Sequence, residues 1–428
     1  MPGIIFTRYD RVPSRDDHAQ QTWGSATIDR RRFLGGVSAL AASVSSGSLL
    51  GGRRAAAQGT PAGADRSAPV EALRALLQRV PAAIAPGGAA GGPFYHADLA
   101  AQFAAVGVDR SAADWMTTTN LFSVTAPLAL VSAGFQYGAS ADFASTFGFR
   151  PLDVDRALEV GRPPDALSIY QGGLDRAALE AAWSKTGFKQ VSLGGGHVLW
   201  TLGEDGAIDL SSPVAPFGAG AFNNLLLLDD QTLLVARKGS VIRAVVSFAT
   251  GEGAASMLDG ADVAQAIAAL SPGVVSSIGV GGALLAPVQP GGKATPSPQA
   301  GNETMPEVVF AIFGIEAGAR GQIASDGSTP VADATPEAGR EPVLVEARLA
   351  TSSAADAAQA AAVASMRWET MESLVIQQPY SSLMTLVSSG VSPAADTVAA
   401  LDFDPGATPG RWIQMVAMQD LAPFAPGG

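Results

Sequence analysis

The stretch between residues 165 and 285 constrains the fold more than any other part of this chain, because short strand-like runs alternate in it with helical ones. β-Branched and aromatic residues dominate the strand-like runs, and glycine- or aspartate-containing turns separate them. The predicted elements are a strand at 166–171, a helix at 175–186, hairpins at 189–202 and 225–236, helices at 240–248 and 261–270, and a strand at 274–280.

The helix predicted at 175–186 has the clearest local signals. Asp175 is placed to accept hydrogen bonds from the first free backbone N–H groups, and its charge suits that end of the helix dipole. Leu179 and Trp183 belong to one apolar stripe of three- and four-residue steps. Gly187 follows the stripe, and glycine readily takes the left-handed conformation that ends a helix.

The same stretch predicts a core around two tryptophans. Trp183 lies on the apolar stripe of the helix, and Trp200 lies on the apolar face of a strand. A helix stripe and a sheet face that are both apolar cover each other. Trp183 and Trp200 are therefore expected to be largely buried in one core with Ile169, Leu179 and Val235.

The order of elements predicts an α+β fold with mixed or antiparallel sheets and helices on one face. The stretch 165–285 resembles a ferredoxin-like split βαβ arrangement with an extra hairpin. This arrangement supports many unrelated functions, so the resemblance carries no functional weight.

Changes in composition predict five regions along the chain. Residues 1–57 form a basic leader, 58–164 an N-terminal helical region, 165–285 the α+β module, and 286–306 a Pro- and Gly-rich linker. Residues 307–428 form either a second α+β module or a continuation of the first sheet, with a disordered loop at 318–341.

The last region is expected to end in a strand pair. Strands are predicted at 307–315 and 342–350, helices at 353–375 and 381–387, and the closing strands at 397–403 and 411–418. The tail at 423–428, rich in Pro and Gly, is predicted to be disordered.

A short basic motif near the start concerns the destination of the chain. Arg30 and Arg31 are followed by a variable residue, Phe33 and Leu34. This motif resembles the twin-arginine (Tat) export signal, in which a polar residue precedes two arginines, any residue, Phe and Leu. The resemblance covers about 30 residues and says nothing of the fold that follows.

The residues after the motif agree with the same interpretation. A moderately apolar run at 34–50 is shorter than the ~20 residues of a membrane span. It leads to Ala55 and Ala57, the small residues of an A-x-A cleavage site. The resemblance implies the Tat translocase and signal peptidase as partners, and a soluble product in the periplasm, the cell envelope or the extracellular space.

Charge and cysteine content limit the partners of the remaining chain. Residues 1–57 contain eight Arg and four Asp, whereas the rest contains 19 basic and 35 acidic residues. An acidic chain is not expected to bind nucleic acid or anionic membrane surfaces. The absence of cysteine excludes disulfides, thiolate nucleophiles and cysteine-ligated metals.

The candidates for chemistry are few. After signal removal only His96 and His197 remain as histidines; His197 is predicted to be an exposed strand residue, and His96 follows a Gly-rich loop. No G-x-S-x-G or H-E-x-x-H motif occurs. The sequence Gly291-Gly292-Lys293 lacks the Ser or Thr and the helix of a phosphate-binding loop.

Carboxylates offer weaker candidates. Glu204, Asp205 and Asp209 are one possible Ca²⁺ group, and Asp402 with Asp404 is another, but neither has EF-hand spacing. Turn chemistry explains both groups better.

The sequence thus predicts a non-catalytic binding or envelope-associated protein, with no catalytic or metal residues assigned and its ligand and cofactor open. The alternative is an exported enzyme, or a cofactor- or solute-binding protein that uses carboxylate or backbone ligands.

Overall fold

Antiparallel pairing of twelve strands organises the described part of the chain. The computed structural model describes residues 68–84, 93–106, 109–110, 128, 141–218, 220–252, 255–285, 304–316, 344–373, 375–406 and 410–426. The strands are β1 (Phe94–Asp98), β2 (Val154–Val160), β3 (Leu167–Gly172), β4 (Lys189–Gly194), β5 (His197–Thr201), β6 (Asn224–Asp229), β7 (Thr232–Ala236), β8 (Val274–Gly281), β9 (Val308–Glu316), β10 (Val345–Thr351), β11 (Thr385–Ser392) and β12 (Ala395–Asp404).

Helices connect and cover these strands. They are α1 (Ala68–Leu77), α2 (Leu99–Val106), α3 (Ala141–Phe147), α4 (Arg176–Thr186), α5 (Gly239–Ser247), α6 (Ala261–Ala268), α7 (Ala354–Thr370), α8 (Tyr380–Leu383) and α9 (Arg411–Ala417). The prediction of an α+β fold is confirmed.

All twelve strands belong to one sheet, in the order β11-β12-β10-β9-β8-β1-β2-β3-β7-β6-β5-β4. Strand β9 pairs directly with β8. Of the two alternatives for residues 307–428, the structure therefore shows the continuation of the first sheet.

Strand alternation divides the core between two faces of the sheet. Face A, on which Phe94, Leu234 and Ile312 lie, is covered by α1, α5 and α6. Face B is covered by α2, α3 and α4 over one half of the sheet and by α7 and α9 over the other half. The expectation of helices on one face only is wrong, because successive side chains of these buried strands are apolar on both faces.

The split crossover is present in a modified form. Helix α4 connects β3 to β4, and three strands lie between them in the sheet. Strands β1 and β2 are further inserted between β8 and β3. The resemblance to a ferredoxin-like arrangement therefore holds for the relative order of strands β8, β3, β7 and β4. It does not hold for the helices, because α4 lies on face B whereas α5 and α6 lie on face A.

Three other predictions need correction. The region 58–164 is not only helical, because it supplies β1 and the charge-rich β2. The closing strand pair is β11 with β12, and the segment Arg411–Ala417 is a helix, since Trp412, Ile413 and Val416 are buried at helical spacing. The tail is packed as far as Ala425, with Phe424 only 2% exposed.

Several predictions lie outside the described residues. They concern the export signal with Arg30, Arg31, Phe33, Leu34, Ala55 and Ala57, the linker at 286–303, the Gly291–Lys293 motif, and the loop at 318–341.

Candidate functional site

Helix α4 forms one wall of a cavity in the described part of the chain. The Asp175 carboxylate accepts hydrogen bonds from the N–H groups of Ala177 and Ala178. Gly187, with φ 100°, closes the helix in the left-handed conformation. Both predicted caps are confirmed, and they fix where the stripe of Leu179 and Trp183 meets the sheet.

The two tryptophans form the floor beneath this wall. Trp183 is 0% exposed and Trp200 is 5% exposed, and their ring centroids lie 5.6 Å apart. The indole N–H of Trp183 donates to the carbonyl of Phe147 at 3.0 Å. Burial of both rings in a core with Leu179 and Val235 is confirmed, but Ile169 lies on face A instead, because Tyr170 is its neighbour on face B.

The opposite wall is the turn between β4 and β5. Gly194, Gly195 and Gly196 all have positive φ values of 81°, 59° and 82°, which glycine adopts without the steric penalty of other residues. This tight turn leaves a cavity of about 170 Å³ between α4 and the hairpin. His197 is half-buried and lines the cavity, which corrects its prediction as an exposed residue.

The rim of the cavity is charged. Arg176 contacts the Glu180 carboxylate one helical turn later at 3.4 Å and Asp230 at 3.3 Å. The Arg176 side chain is 47% exposed, so water screens both ion pairs and each is weak. The rim therefore presents a cation and a carboxylate that can exchange these contacts for contacts to a ligand.

Sequence reasoning missed Arg176 and Glu180. The available signal was their four-residue spacing on the helix that carries Trp183, which places all three along one side of α4. Nothing in the sequence indicates that the β4–β5 turn lies opposite that side.

His96 has a different environment. It is 0% exposed on β1, and neither ring nitrogen has a hydrogen-bond partner among the described residues. Ser277, its paired residue on β8, has a buried hydroxyl that is likewise without a partner there. Burial lowers the pKa of His96 to about 4, so the ring is neutral at pH 7, and both side chains are sealed from dissolved substrates.

The carboxylates singled out in the sequence have structural partners. Asp209 accepts hydrogen bonds from the backbone and hydroxyl of Ser211 at 2.8 and 2.6 Å, and these bonds lower its pKa. Asp404 accepts from Gly406 N–H at 2.8 Å. These are the predicted turn contacts. Asp205 instead accepts from Asn224 and from Gly239 N–H, and Asp402 pairs with Arg348.

The described residues contain neither a metal-ligand cluster nor a membrane-spanning helix. No group of three or more His, Asp and Glu side chains there is arranged to hold a metal ion. No helix in the same ranges combines the length and apolarity needed to cross a membrane.

Comparison with known proteins adds little. No family model matches the chain, and no curated protein matches it. Crystal form III of TP0453 aligns with a TM-score of 0.34 and 8% identity over 79% of this chain and 97% of that chain. Crystal form I of TP0453 aligns with a TM-score of 0.33 and 8% identity over 78% and 96%. At such scores the likeness carries no argument about function.

Proposed function

We propose that this chain is an exported, non-catalytic binding protein that takes a small polar ligand into the cavity between α4 and the β4–β5 turn. The observation that supports binding is a cavity of about 170 Å³ with the charged rim of Arg176 and Glu180 above a tryptophan floor. A concave site at which a few polar groups converge is typical of ligand binding. Export rests on the twin-arginine motif alone.

The size of the cavity limits the ligand. Its volume of about 170 Å³ is below the roughly 300–1,000 Å³ of sites for drug-sized molecules. It is close to the roughly 150 Å³ of an engineered cavity that accepts benzene. The ligand, or the part of it that enters, is therefore about the size of one ring or one amino-acid side chain.

The rim limits its chemistry. The Arg176 guanidinium donates hydrogen bonds and the Glu180 carboxylate accepts them. A ligand that satisfies both groups carries an acceptor, such as a carboxylate, and a donor, such as an ammonium or amide. A compact zwitterion or amide meets these requirements.

Native mass spectrometry tests the binding proposal. The mature protein, purified from the envelope of its own host, is expected to carry a small bound mass. In the double variant Arg176→Gln/Glu180→Gln, the ratio of ligand-bound to ligand-free protein should fall about tenfold or more, equivalent to about 1.4 kcal/mol.

The matched control is Glu71→Gln/Arg74→Gln, which removes an ion pair of the same 3.4 Å length on α1, a helix that covers face A. This control should retain the ligand. Equal occupancy in both double variants would place the ligand elsewhere and contradict the proposed site.

Export is tested separately. Replacement of Arg30 and Arg31 by Lys is expected to leave the precursor in the cytoplasm. Replacement of Arg53 and Arg54 by Lys, a second arginine pair outside the motif, should leave export unchanged. Normal export of the first variant would refute the twin-arginine assignment without affecting the binding proposal.

A further inference from the structure

Three carboxylates and one arginine meet on face A of the sheet, far along the chain from the cavity. Glu346 and Arg348 are two residues apart on β10, so both point to the same face. Glu346 is paired directly with Asp402 on β12 and with Gly314 on β9. Glu316 lies two residues beyond Gly314 and is therefore a diagonal neighbour of Glu346 on that face.

Arg348 neutralises only part of this charge. Its guanidinium contacts Glu346 Oε2 and Asp402 Oδ1, both at 2.7 Å. It also donates to the carbonyl of Ala269 at 2.7 Å and to that of Leu401 at 3.1 Å. The Arg348 side chain is only 5% exposed. Its single positive charge is shared between the Glu346 and Asp402 carboxylates. Glu316 has no comparable cation among the described residues.

The two carboxylate oxygens of Glu346 differ in their hydrogen-bond partners. Its Oε2 atom accepts from Arg348 and from the backbone N–H of Ser271 at 3.0 Å. Its Oε1 atom is buried and has no donor among the described residues. A buried acceptor without a donor is costly. A proton on the neighbouring Glu316 carboxyl provides that donor and also removes the repulsion between the two carboxylates.

We propose that Glu316 and Glu346 hold one proton between them, and that this proton secures the residues after α6 to the sheet. Ser271 N–H and the Ala269 carbonyl follow α6 directly, and both are bound by this cluster. Release of the proton leaves two adjacent carboxylates with one shared arginine, so these contacts weaken. The cluster is thus a pH-sensitive connection between α6 and the C-terminal half of the sheet.

The surrounding elements supply no further described cation. Helix α6 carries its one carboxylate, Asp262, in its first turn, at the opposite end from Ser271. Strand β8 places Val274 opposite Glu316. Strand β11 contributes the Ser388 hydroxyl, which donates to Asp402 at 2.6 Å. Asp404, two residues beyond Asp402 on β12, adds a further negative charge.

The direction of the pH effect follows from these surroundings. Burial, and secondly the charge of Glu346, raise the pKa of Glu316 from 4.5 to about 7. Between these two values the folded protein holds a proton that the unfolded chain has lost. Stability therefore falls as the pH rises from about 4.5 to about 7, and the contribution changes little outside that window.

Thermal unfolding of the mature protein at a series of pH values tests this proposal. Glu316→Gln keeps a donor for Glu346 Oε1 but does not ionise. Relative to the parent, this variant should gain Tm steadily from about pH 4.5 to about pH 7, since only the parent loses the shared proton. Glu252→Gln, at an exposed carboxylate, is the control and should follow the parent.

A direct titration accompanies the melts. The side-chain carboxyl of Glu316 in the parent, followed by carbon-13 NMR, should titrate near pH 7. A midpoint near 4.5, or a Glu316→Gln protein whose Tm changes with pH in parallel with the parent, would overturn the proposal. The titration needs no substitution, so it decides the question even if the variant does not fold.

Discussion

The two halves of the sheet repeat one topology but use it differently. In each half three successive strands form a meander, a helix crosses to the outer edge, and the chain returns to pair with the third strand. The first half does this with β1–β3, α4 and β4–β7, and the second with β8–β10, α7, β11 and β12. The halves join where β1 pairs antiparallel with β8.

The crossover helices differ in what covers them. Trp183 of α4 lies beside an open cavity of about 170 Å³. Trp368 of α7 instead packs against Phe403, Tyr380 and Phe424, with ring centroids 4.4, 5.3 and 6.0 Å apart. The corresponding cavity there has only about 10 Å³, because α9 and the following residues cover it. The same arrangement thus becomes a cavity or a closed core according to whether a later segment covers it.

Truncation of the two tryptophans should give the largest effects. Trp183→Ala and Trp368→Ala each remove a fully buried ring and should each cost about 3–5 kcal/mol. We expect Trp368→Ala at the upper end, since its surroundings are sealed, and Trp183→Ala at the lower end, since water can enter beside it. Denaturant unfolding measures both, and a larger loss for Trp183→Ala would contradict the comparison.

The next largest effects are expected from removal of arginines, which should destabilise the protein more in the second half of the sheet than in the first. Arg348→Ala leaves Glu346, which is 0% exposed, without its cation and should cost about 3–5 kcal/mol. In the first half Arg156, 37% exposed, pairs with the buried Asp98 at 3.0 Å. Arg156→Ala should cost about 1–3 kcal/mol, because water reaches this site. Equal losses of unfolding free energy, measured by urea titration, would mean that burial does not determine how much these two ion pairs stabilise the protein.

Removal of a helix cap should cost the same stability in both halves of the sheet. Asp175 caps α4 through Ala177 N–H at 2.9 Å, and Ser353 caps α7 through Asp356 N–H at 3.1 Å. Asp175→Ala and Ser353→Ala should each lower the free energy of unfolding by about 1 kcal/mol. A loss several times larger in one half, measured under the same conditions, would show that its cap also supports tertiary contacts.

The smallest effect on stability is expected at the rim of the cavity. Glu180→Gln removes one exposed ion pair of 3.4 Å and should change the free energy of unfolding by less than about 0.5 kcal/mol. If ligand occupancy falls while the melting curve is unchanged, the binding site is in the first half of the sheet, at the cavity beside Trp183. A strongly destabilised variant would instead make Glu180 part of the packing.

Local order in this protein follows from short-range signals in the sequence. Asp175, Gly187 and the spacing of Leu179 and Trp183 predict α4 correctly, because capping and periodicity act within a few residues. The burial of Trp200 was also predictable from its strand. The helix at Arg411–Ala417 was mistaken for a strand, since seven residues rich in apolar side chains fit either period.

Only the tertiary structure decided which strands pair and which surfaces remain open. His96 on β1 pairs with Ser277 on β8, and Glu346 meets Asp402 across the sheet, yet no side chain of these residues specifies its partner strand. Strand pairing uses backbone hydrogen bonds that almost every residue makes, so partners far apart in the chain leave no local signal. The cavity beside Trp183 likewise depends on the absence, from the described residues, of a segment like α9 above it. What lies over a helix is settled by the path of the whole chain, and for this reason the sequence predicted the buried tryptophan pair but not the cavity beside it.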